Sequence, residues 1–350
     1  MRKRDFYNGN DILQKKDIDG FAPFLFFICG NRTAGKTFWC KKFLMDRFIK
    51  YGEQFVILVR FGYQLKGMAD TIMNDMIVPY PKYKDHMLKE RIILKDGCVA
   101  LEANDKIYGY VVSLNAADNI KRLSGMFAKV KWGLMDEFQS ENNKYCSDEL
   151  NKFQSIVYSI NRGNGEFVRN LQIFMCSNMI SLLNPYFSHF GIGARINLDT
   201  RFLRGKGWVC EFTHNENASE AFKDSAMGRC FEGSEYAKMG ATNVYLNDSY
   251  TFIDKMPVDG RIYLVLKYNG KSYGVWTCHS VLYISEKYDP SYKNIVALTI
   301  NDHTPEIPSR LKIGRDTTYL YLRELFQRGL VRFENLECKQ AFFTYLGYDD

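Results

Sequence analysis

No stretch of the 350-residue sequence reaches the ~18 consecutive apolar residues that a membrane helix needs; the run 21–29 is too short and stops at Gly30. The opening Met1-Arg2-Lys3-Arg4-Asp5 is not followed by the apolar core and small-residue cleavage site of a signal peptide. The nine cysteines are scattered singly and in odd number, with no C-x-x-C, and the five histidines form no ligand cluster. A disulfide framework and a zinc site are therefore not expected; a reducing, cytosolic setting with unpaired thiols is. Internal repeats and low-complexity tracts are also missing. With 46% apolar and 25% charged residues, a disordered or collagen-like chain is excluded. At ~150 residues per domain the length predicts about two domains.

The net charge of +7 lies wholly in the first part of the chain. Residues 1–200 carry 28 Lys+Arg against 21 Asp+Glu, and residues 201–350 carry 19 against 19. This bias suits phosphate-bearing partners and equally suits a solvated surface.

The first 20 residues are polar and read as an arm. Residues 24–29 are a continuous apolar run, as in a strand buried on both faces of a parallel sheet. A loop and a helix over about 36–50 follow, with Cys40, Leu44 and Phe48 on one stripe widened by Trp39 and Phe43, and Gly52 closing it. A second buried strand covers 55–59. The result is a strand–loop–helix–strand unit of α/β type. Short strands joined by turns are expected over 91–114, further buried strands over 130–135 and 171–176, and a helix capped by Ser147 and ending near Arg162. Residues 213–240 read as a linker or small lid. From about 250 the pattern is an antiparallel meander over 261–268, 272–278 and 281–285, turning at Asn269-Gly270, with a fourth strand over 294–300. Helices over 316–328 and 335–346 complete a separate α+β domain.

Gly30-Asn31-Arg32-Thr33-Ala34-Gly35-Lys36-Thr37 fits G-x-x-x-x-G-K-[ST] in full. Glycines let the backbone fold round an anion so that successive N–H groups face phosphate oxygens, and the next helix adds its positive end. Lys36 is expected on the β- and γ-phosphates and the Thr37 hydroxyl on Mg²⁺. The buried strand before the loop and the amphipathic helix after it argue against a chance match. Asp136-Glu137, at another strand end, supplies the acidic half: Asp136 for the Mg²⁺ shell and Glu137 as general base toward water. Asn178, at the end of the strand over 171–176, either senses the γ-phosphate or orients water, or simply enters a turn.

Hydrolysis in such sites needs an extra cation, often from a neighbouring subunit. Arg162, just past a helix end, is favoured over Arg169. Arg32 lies in the loop itself, and Arg60 at a strand end is a weak candidate for the base or phosphate. Lys121 and Arg122 are candidates for DNA phosphates or the neighbouring site, although a solvated loop accounts for them as well.

With these residues in place, the chain resembles the DNA-packaging ATPases of phi29-type tailed bacteriophages over nearly its whole length. The resemblance rests on RFIKYGEQF at 47–55, Asp136-Glu137-Phe138, Cys176-Ser177-Asn178, Asn184-Pro185-Tyr186-Phe187, Tyr268-Asn269-Gly270, Gly274-Val275-Trp276 and Asp289-Pro290-Ser291-Tyr292-Lys293-Asn294. It implies an α/β additional-strand, RecA-like P-loop ATPase domain over 1–200, a linker or lid over 201–245, and a C-terminal RNase H-like α+β domain over 246–350 without a nuclease site. It also implies a homomeric ring, with a pentamer favoured, that uses ATP and Mg²⁺ to draw double-stranded DNA through the portal of a procapsid in the host-cell cytoplasm. A structural packaging RNA is a possible further partner, and no membrane is expected. Lys36, Thr37, Asp136 and Glu137 carry over directly, and Arg32 matches the arginine of the family loop. The finger aligns ambiguously between Arg162 and Arg169.

The first expected strand of the C-terminal domain, 261–268, contains no acid, and Asp254, Glu286, Asp289 and Asp302 lie at edges or turns. Two-metal cutting needs clustered carboxylates. That disfavours a nucleolytic terminase, and Lys267 and Lys271 stand out instead as a local basic patch. A nucleotide-switched scaffold is the other alternative, distinguished by whether Glu137 is needed for turnover.

Overall fold

The computed structural model describes residues 6–31, 34–141, 144–162, 170–182, 184–196, 200–213, 216–231, 254, 257–310 and 316–347. The chain forms two compact units: residues 1–181 with 197–247, and residues 182–196 with 248–350. Among the described residues no helix is long and apolar enough to cross a membrane.

The first unit holds α1 (Asn10–Leu13), β1 (Leu25–Gly30), α2 (Lys36–Tyr51), β2 (Gln54–Val59), α3 (Met68–Ile77), β3 (Lys89–Leu94), β4 (Cys98–Ala103), β5 (Lys106–Ser113), α4 (Ala117–Ile120), β6 (Val130–Asp136), α5 (Glu149–Asn161) and β7 (Gln172–Asn178). After α6 (Pro185–Phe190), which belongs to the second unit, come β8 (Phe202–Gly205), β9 (Trp208–Thr213), α7 (Glu216–Asp224) and α8 (Ala226–Cys230). Nine strands make one sheet in the order β3-β4-β5-β2-β6-β7-β1-β9-β8. From β5 to β9 every neighbouring pair is parallel; β3–β4, β4–β5 and β8–β9 are antiparallel edges. This is the mixed α/β architecture with a large parallel sheet that the apolar runs predict.

β1 and β2 are buried at every position, because helices and loops cover both faces of the sheet. Alternate residues serve opposite faces. Phe26 and Ile28 join the core that also holds Cys40 and Leu44 of α2, while Phe27 meets Phe138 and Trp208 on the other face. Phe174 of β7 is the hub of the α2 side: its ring lies 5.3–5.8 Å from those of Phe26, Trp39, Phe43 and Trp132.

Three expectations need correction. Residues 202–213 are not linker: β9 pairs in parallel with β1, Leu25 opposite Trp208 through Gly30 opposite Thr213, so the hairpin completes the large sheet. Gly30 is glycine for this reason, since a Cβ there would sit 2.2 Å from the Thr213 carbonyl oxygen. Residues 6–20 are not a loose arm, because Tyr7 and Ile12 are buried and the Tyr7 hydroxyl donates to Glu211 at 2.7 Å. Ser147 does not cap α5; Asp148 occupies that position in a left-handed conformation, and the Ser147 hydroxyl accepts from Lys152.

The second unit carries β10 (Arg261–Tyr268), β11 (Lys271–Cys278), β12 (Val281–Ser285), β13 (Ile295–Ala297), α9 (Thr317–Gln327), β14 (Val331–Phe333) and α10 (Leu336–Leu346). The meander β10-β11-β12 is antiparallel as expected. The fourth strand, by contrast, runs parallel to β10, and β14, too short to stand out in the sequence, adds in parallel to β12. Asp316 and Asn335 cap α9 and α10 through their side chains.

Phe174→Ala is expected to cost the first unit about 3–5 kcal/mol, because four aromatic neighbours lose one shared contact and the cavity cannot collapse around them. A urea titration followed by tryptophan fluorescence checks this, Trp39 and Trp132 being direct neighbours.

Candidate nucleotide site

The carboxyl ends of β1, β6 and β7 meet on one edge of the large sheet, because parallel pairing in register places Gly30 beside Asn178 and Asp136 beside Cys176. There a cavity of ≈ 320 Å³ is lined by residues 34–38, by Asp75, Asp136 and Glu137, and by Ser177 and Asn178. Loop, acid pair and post-acid strand end thus come together. Arg32 and Thr33 lie outside the described residues, as does Arg169.

Gly35 caps α2 in a left-handed conformation, φ +89°, which favours glycine. The loop is held from the N-terminal segment: the Tyr7 N–H donates to the Ala34 carbonyl at 2.8 Å, and a Cβ on Gly35 would meet the Phe6 side chain. The Asn31 amide donates to the Ser219 hydroxyl at 3.0 Å, tying the loop to α7.

Lys36 is only 5% exposed. Its ammonium donates to the carbonyls of Gly30 (3.1 Å) and Asn31 (2.7 Å) and to the Asn178 side chain (3.4 Å). Burial lowers its pKa, and nearby groups including Asp136 oppose the shift. The Thr37 hydroxyl donates to Asp136 Oδ1 at 2.8 Å. Burial raises the Asp136 pKa against the pull of Thr37, Lys41 and Lys36. Lys41 lies one turn beyond Thr37 and donates to Asp75 at 2.7 Å, so Asp75 brings a third carboxylate to the cavity. No motif marked Asp75; only the packing of α3 beside α2 puts it there.

Glu137 is exposed and stands in a left-handed conformation, φ +53°. A buried arginine holds its turn. Arg60, at the end of β2, donates to the carbonyls of Glu137 (2.6 Å) and Phe138, and its Nε bonds both carboxylate oxygens of Glu149 at 3.1 and 3.0 Å. The side chains of Arg60 and Glu149 are 8% and 1% exposed. Arg60 therefore grips the backbone behind the acid rather than a base or phosphate. Gln139, 1% exposed, continues the same turn and accepts from the N–H groups of Ile180 and Ser181, joining the ends of β6 and β7.

The outlying cations do not line the cavity. Arg162 is exposed at the end of α5. Lys121 and Arg122 are exposed on a 3₁₀ turn, with Lys121 paired to Asp118 at 2.9 Å.

Two outcomes follow. Arg60→Met is expected to destabilise the chain by about 3–5 kcal/mol, because Glu149 keeps a buried charge without its ionic partner. The double variant Arg60→Met/Glu149→Met should recover much of that loss in thermal denaturation. A carboxyl whose pKa is raised on folding contributes stability that is lost as pH rises from its ordinary pKa through its shifted one. Asp136→Asn keeps an acceptor for Thr37 and removes that penalty, so its thermal midpoint should exceed that of the unmodified chain at pH 8 and converge with it on acidification.

The family model for the Podovirus DNA encapsidation protein (Gp16) matches residues 1–347. The DNA packaging protein of Bacillus phage B103 is 29% identical over 316 residues, which is 88% of this chain and 92% of that one. That of Bacillus phage phi29 is 29% identical over 342 residues, 96% and 95% of the two chains. Among solved structures, the bacteriophage Phi-29 viral genome packaging motor assembly matches with a TM-score of 0.66 at 24% identity, over 97% of this chain and 99% of that one, and so shares the fold. By the near-complete span of the family match, the chain belongs to the Podovirus DNA encapsidation protein (Gp16) family.

Proposed function

We propose that this packaging protein is an ATPase motor that drives double-stranded DNA into a procapsid. The observation that carries the reading is the junction of Lys36, Thr37 and Asp136 at one cavity, with Glu137 on its rim. A hydroxyl and a carboxylate oxygen 2.8 Å apart suit Mg²⁺, whose octahedron at ~2.0–2.1 Å has edges of about 2.9 Å. Thr37 and Asp136 would hold the ion, which screens the triphosphate charge when bound.

The chain's own groups supply the rest. Loop N–H groups and the α2 N-terminus receive the phosphates. The Lys36 ammonium exchanges its carbonyl partners for β- and γ-phosphate oxygens, regaining the charge partner that its burial demands. Glu137 takes a proton from water as the water oxygen bonds the γ-phosphorus and the bond to the β–γ bridging oxygen breaks, giving ADP and phosphate. Arg60 positions Glu137 through its carbonyl. Asn178, bonded to Lys36, registers the γ-phosphate, and Gln139 passes a shift of the β6 end to residues 180–181.

Arg162 would act across a subunit interface of a homomeric ring, pentameric in our reading, docked on the portal in the host cytoplasm. Arg32 would touch phosphate in its own or a neighbouring subunit. Lys121 and Arg122 are proposed contacts to DNA phosphates, giving salt-sensitive binding with little sequence preference. A packaging RNA would be a further partner.

The second unit is proposed to be RNase H-like and non-cutting. In support, Asp302 accepts from the N–H groups of Asn269 and Gly270, Asp289 from Ser291 and Glu286 from Asn335. These carboxylates hold backbone and turns rather than converging on metals. Lys271 is paired with Glu337 at 2.6 Å, which weakens the expected basic patch.

Glu137→Gln should bind MgATP as the unmodified chain does while its DNA-stimulated turnover falls about 10²–10⁴-fold; Lys36→Ala should lose MgATP binding. Unchanged turnover in Glu137→Gln sinks the motor reading and leaves the scaffold. In mixtures with unmodified chain, Arg162→Ala should poison turnover more steeply than in proportion.

A further inference from the structure

The sequence offers no metal motif, yet the fold of the second unit assembles three metal-binding side chains from two separate turns. Asp259 lies just before β10. Cys278 ends β11, and His279 begins the two-residue turn into β12. Their carboxylate oxygen, thiol sulfur and ring nitrogen all lie within 4.8 Å of one another, and no other trio of His, Cys, Asp or Glu does so among the described residues. Cys278 Sγ is 3.3 Å from Asp259 Oδ1 and 3.1 Å from His279 Nδ1. The thiol forms the floor of the cluster at 6% exposure, and the other two groups are exposed, so the point on which they converge faces solvent.

The turn itself does not call for these residues. His279 and Ser280 both stand at positive φ, +46° and +67°. Two-residue hairpin turns with both residues left-handed favour Asn-Gly. The neighbouring β10–β11 turn uses that pair, Asn269-Gly270, at +51° and +78°. Histidine stands where the neighbouring turn uses asparagine, and its ring nitrogen meets the Cys278 thiol.

The donor set is selective. A thiolate, an imidazole and a carboxylate together suit zinc-class ions rather than Mg²⁺ or Ca²⁺. Around tetrahedral zinc, sulfur at ~2.3 Å and nitrogen or oxygen at ~2.0–2.1 Å stand about 3.5 Å apart. The two separations from the Cys278 sulfur, 3.3 and 3.1 Å, lie within a few tenths of an ångström of that spacing.

We propose that Asp259, Cys278 and His279 form a three-ligand site for a zinc-class divalent cation, with the fourth position open to water or to a ligand atom of a docking partner. Binding converts the Cys278 thiol to a metal thiolate and releases its proton to solvent. The ion would staple the entry of β10 to the β11–β12 turn. Nothing in this depends on nucleotide chemistry.

The test uses the full-length chain stripped with a chelator. Titration with Co²⁺ should produce a thiolate-to-cobalt charge-transfer band in the near ultraviolet, saturating at one equivalent and displaced by Zn²⁺. Cys278→Ser should abolish the band. Cys230→Ser, which removes the exposed thiol, should leave it unchanged. Asp259→Asn and His279→Asn should each weaken binding at least about tenfold, the loss reported even for outer-shell partners of metal sites. Because asparagine suits the left-handed turn, His279→Asn keeps the fold: its thermal midpoint without metal should match the unmodified chain, and Zn²⁺ should raise the latter alone. Absence of the band in the unmodified chain, or its survival in Cys278→Ser, overturns the site.

Discussion

The hydrogen bond from Thr37 to Asp136 spans 99 residues of sequence, and the rest of the site is arranged around it. It exists because β1 and β6 both pair in parallel with β7, which brings their carboxyl ends to one edge. The bond sits beside a buried lysine and under a carboxyl whose pKa burial has raised. Both groups are strained by desolvation in opposite senses, and a magnesium–triphosphate complex would relieve both at once.

Around that bond the protein spends much of its polar structure on backbone rather than substrate. Arg60 and Glu149 form a buried ion pair whose remaining donors clasp the carbonyls of residues 137 and 138. Gln139 ties the next residues to 180–181. A left-handed glutamate on the rim is costly for a non-glycine residue, and these bonds over-determine it. Positioning of Glu137 thus depends on groups that do not line the cavity.

The second unit follows the same habit. Asp302 closes the β10–β11 turn, and Glu337 holds both Lys271 and Tyr273. These two carboxylates are structural ties. The Asp259, Cys278 and His279 cluster is the exception, since its three groups face each other more than the backbone.

The buried strands, the helix after the loop, the glycine-bounded phosphate motif and the acid pair were all legible in the chain, because each is a local pattern: apolar runs, a helical stripe, a fixed spacing. Turn and cap residues were legible for the same reason at Asn269-Gly270 and Gly52. What packing decided is different in kind. Whether 202–213 is linker or strand depends on the open edge of β1, and whether 295–297 runs parallel depends on which edge of β10 is free. Arg60, Asp75, Tyr7 and Glu211 carry no motif, and their roles come from partners tens to hundreds of residues away. Local sequence sets which residues are helical, extended or chemically armed; only the closing of the two sheets determines which of them meet.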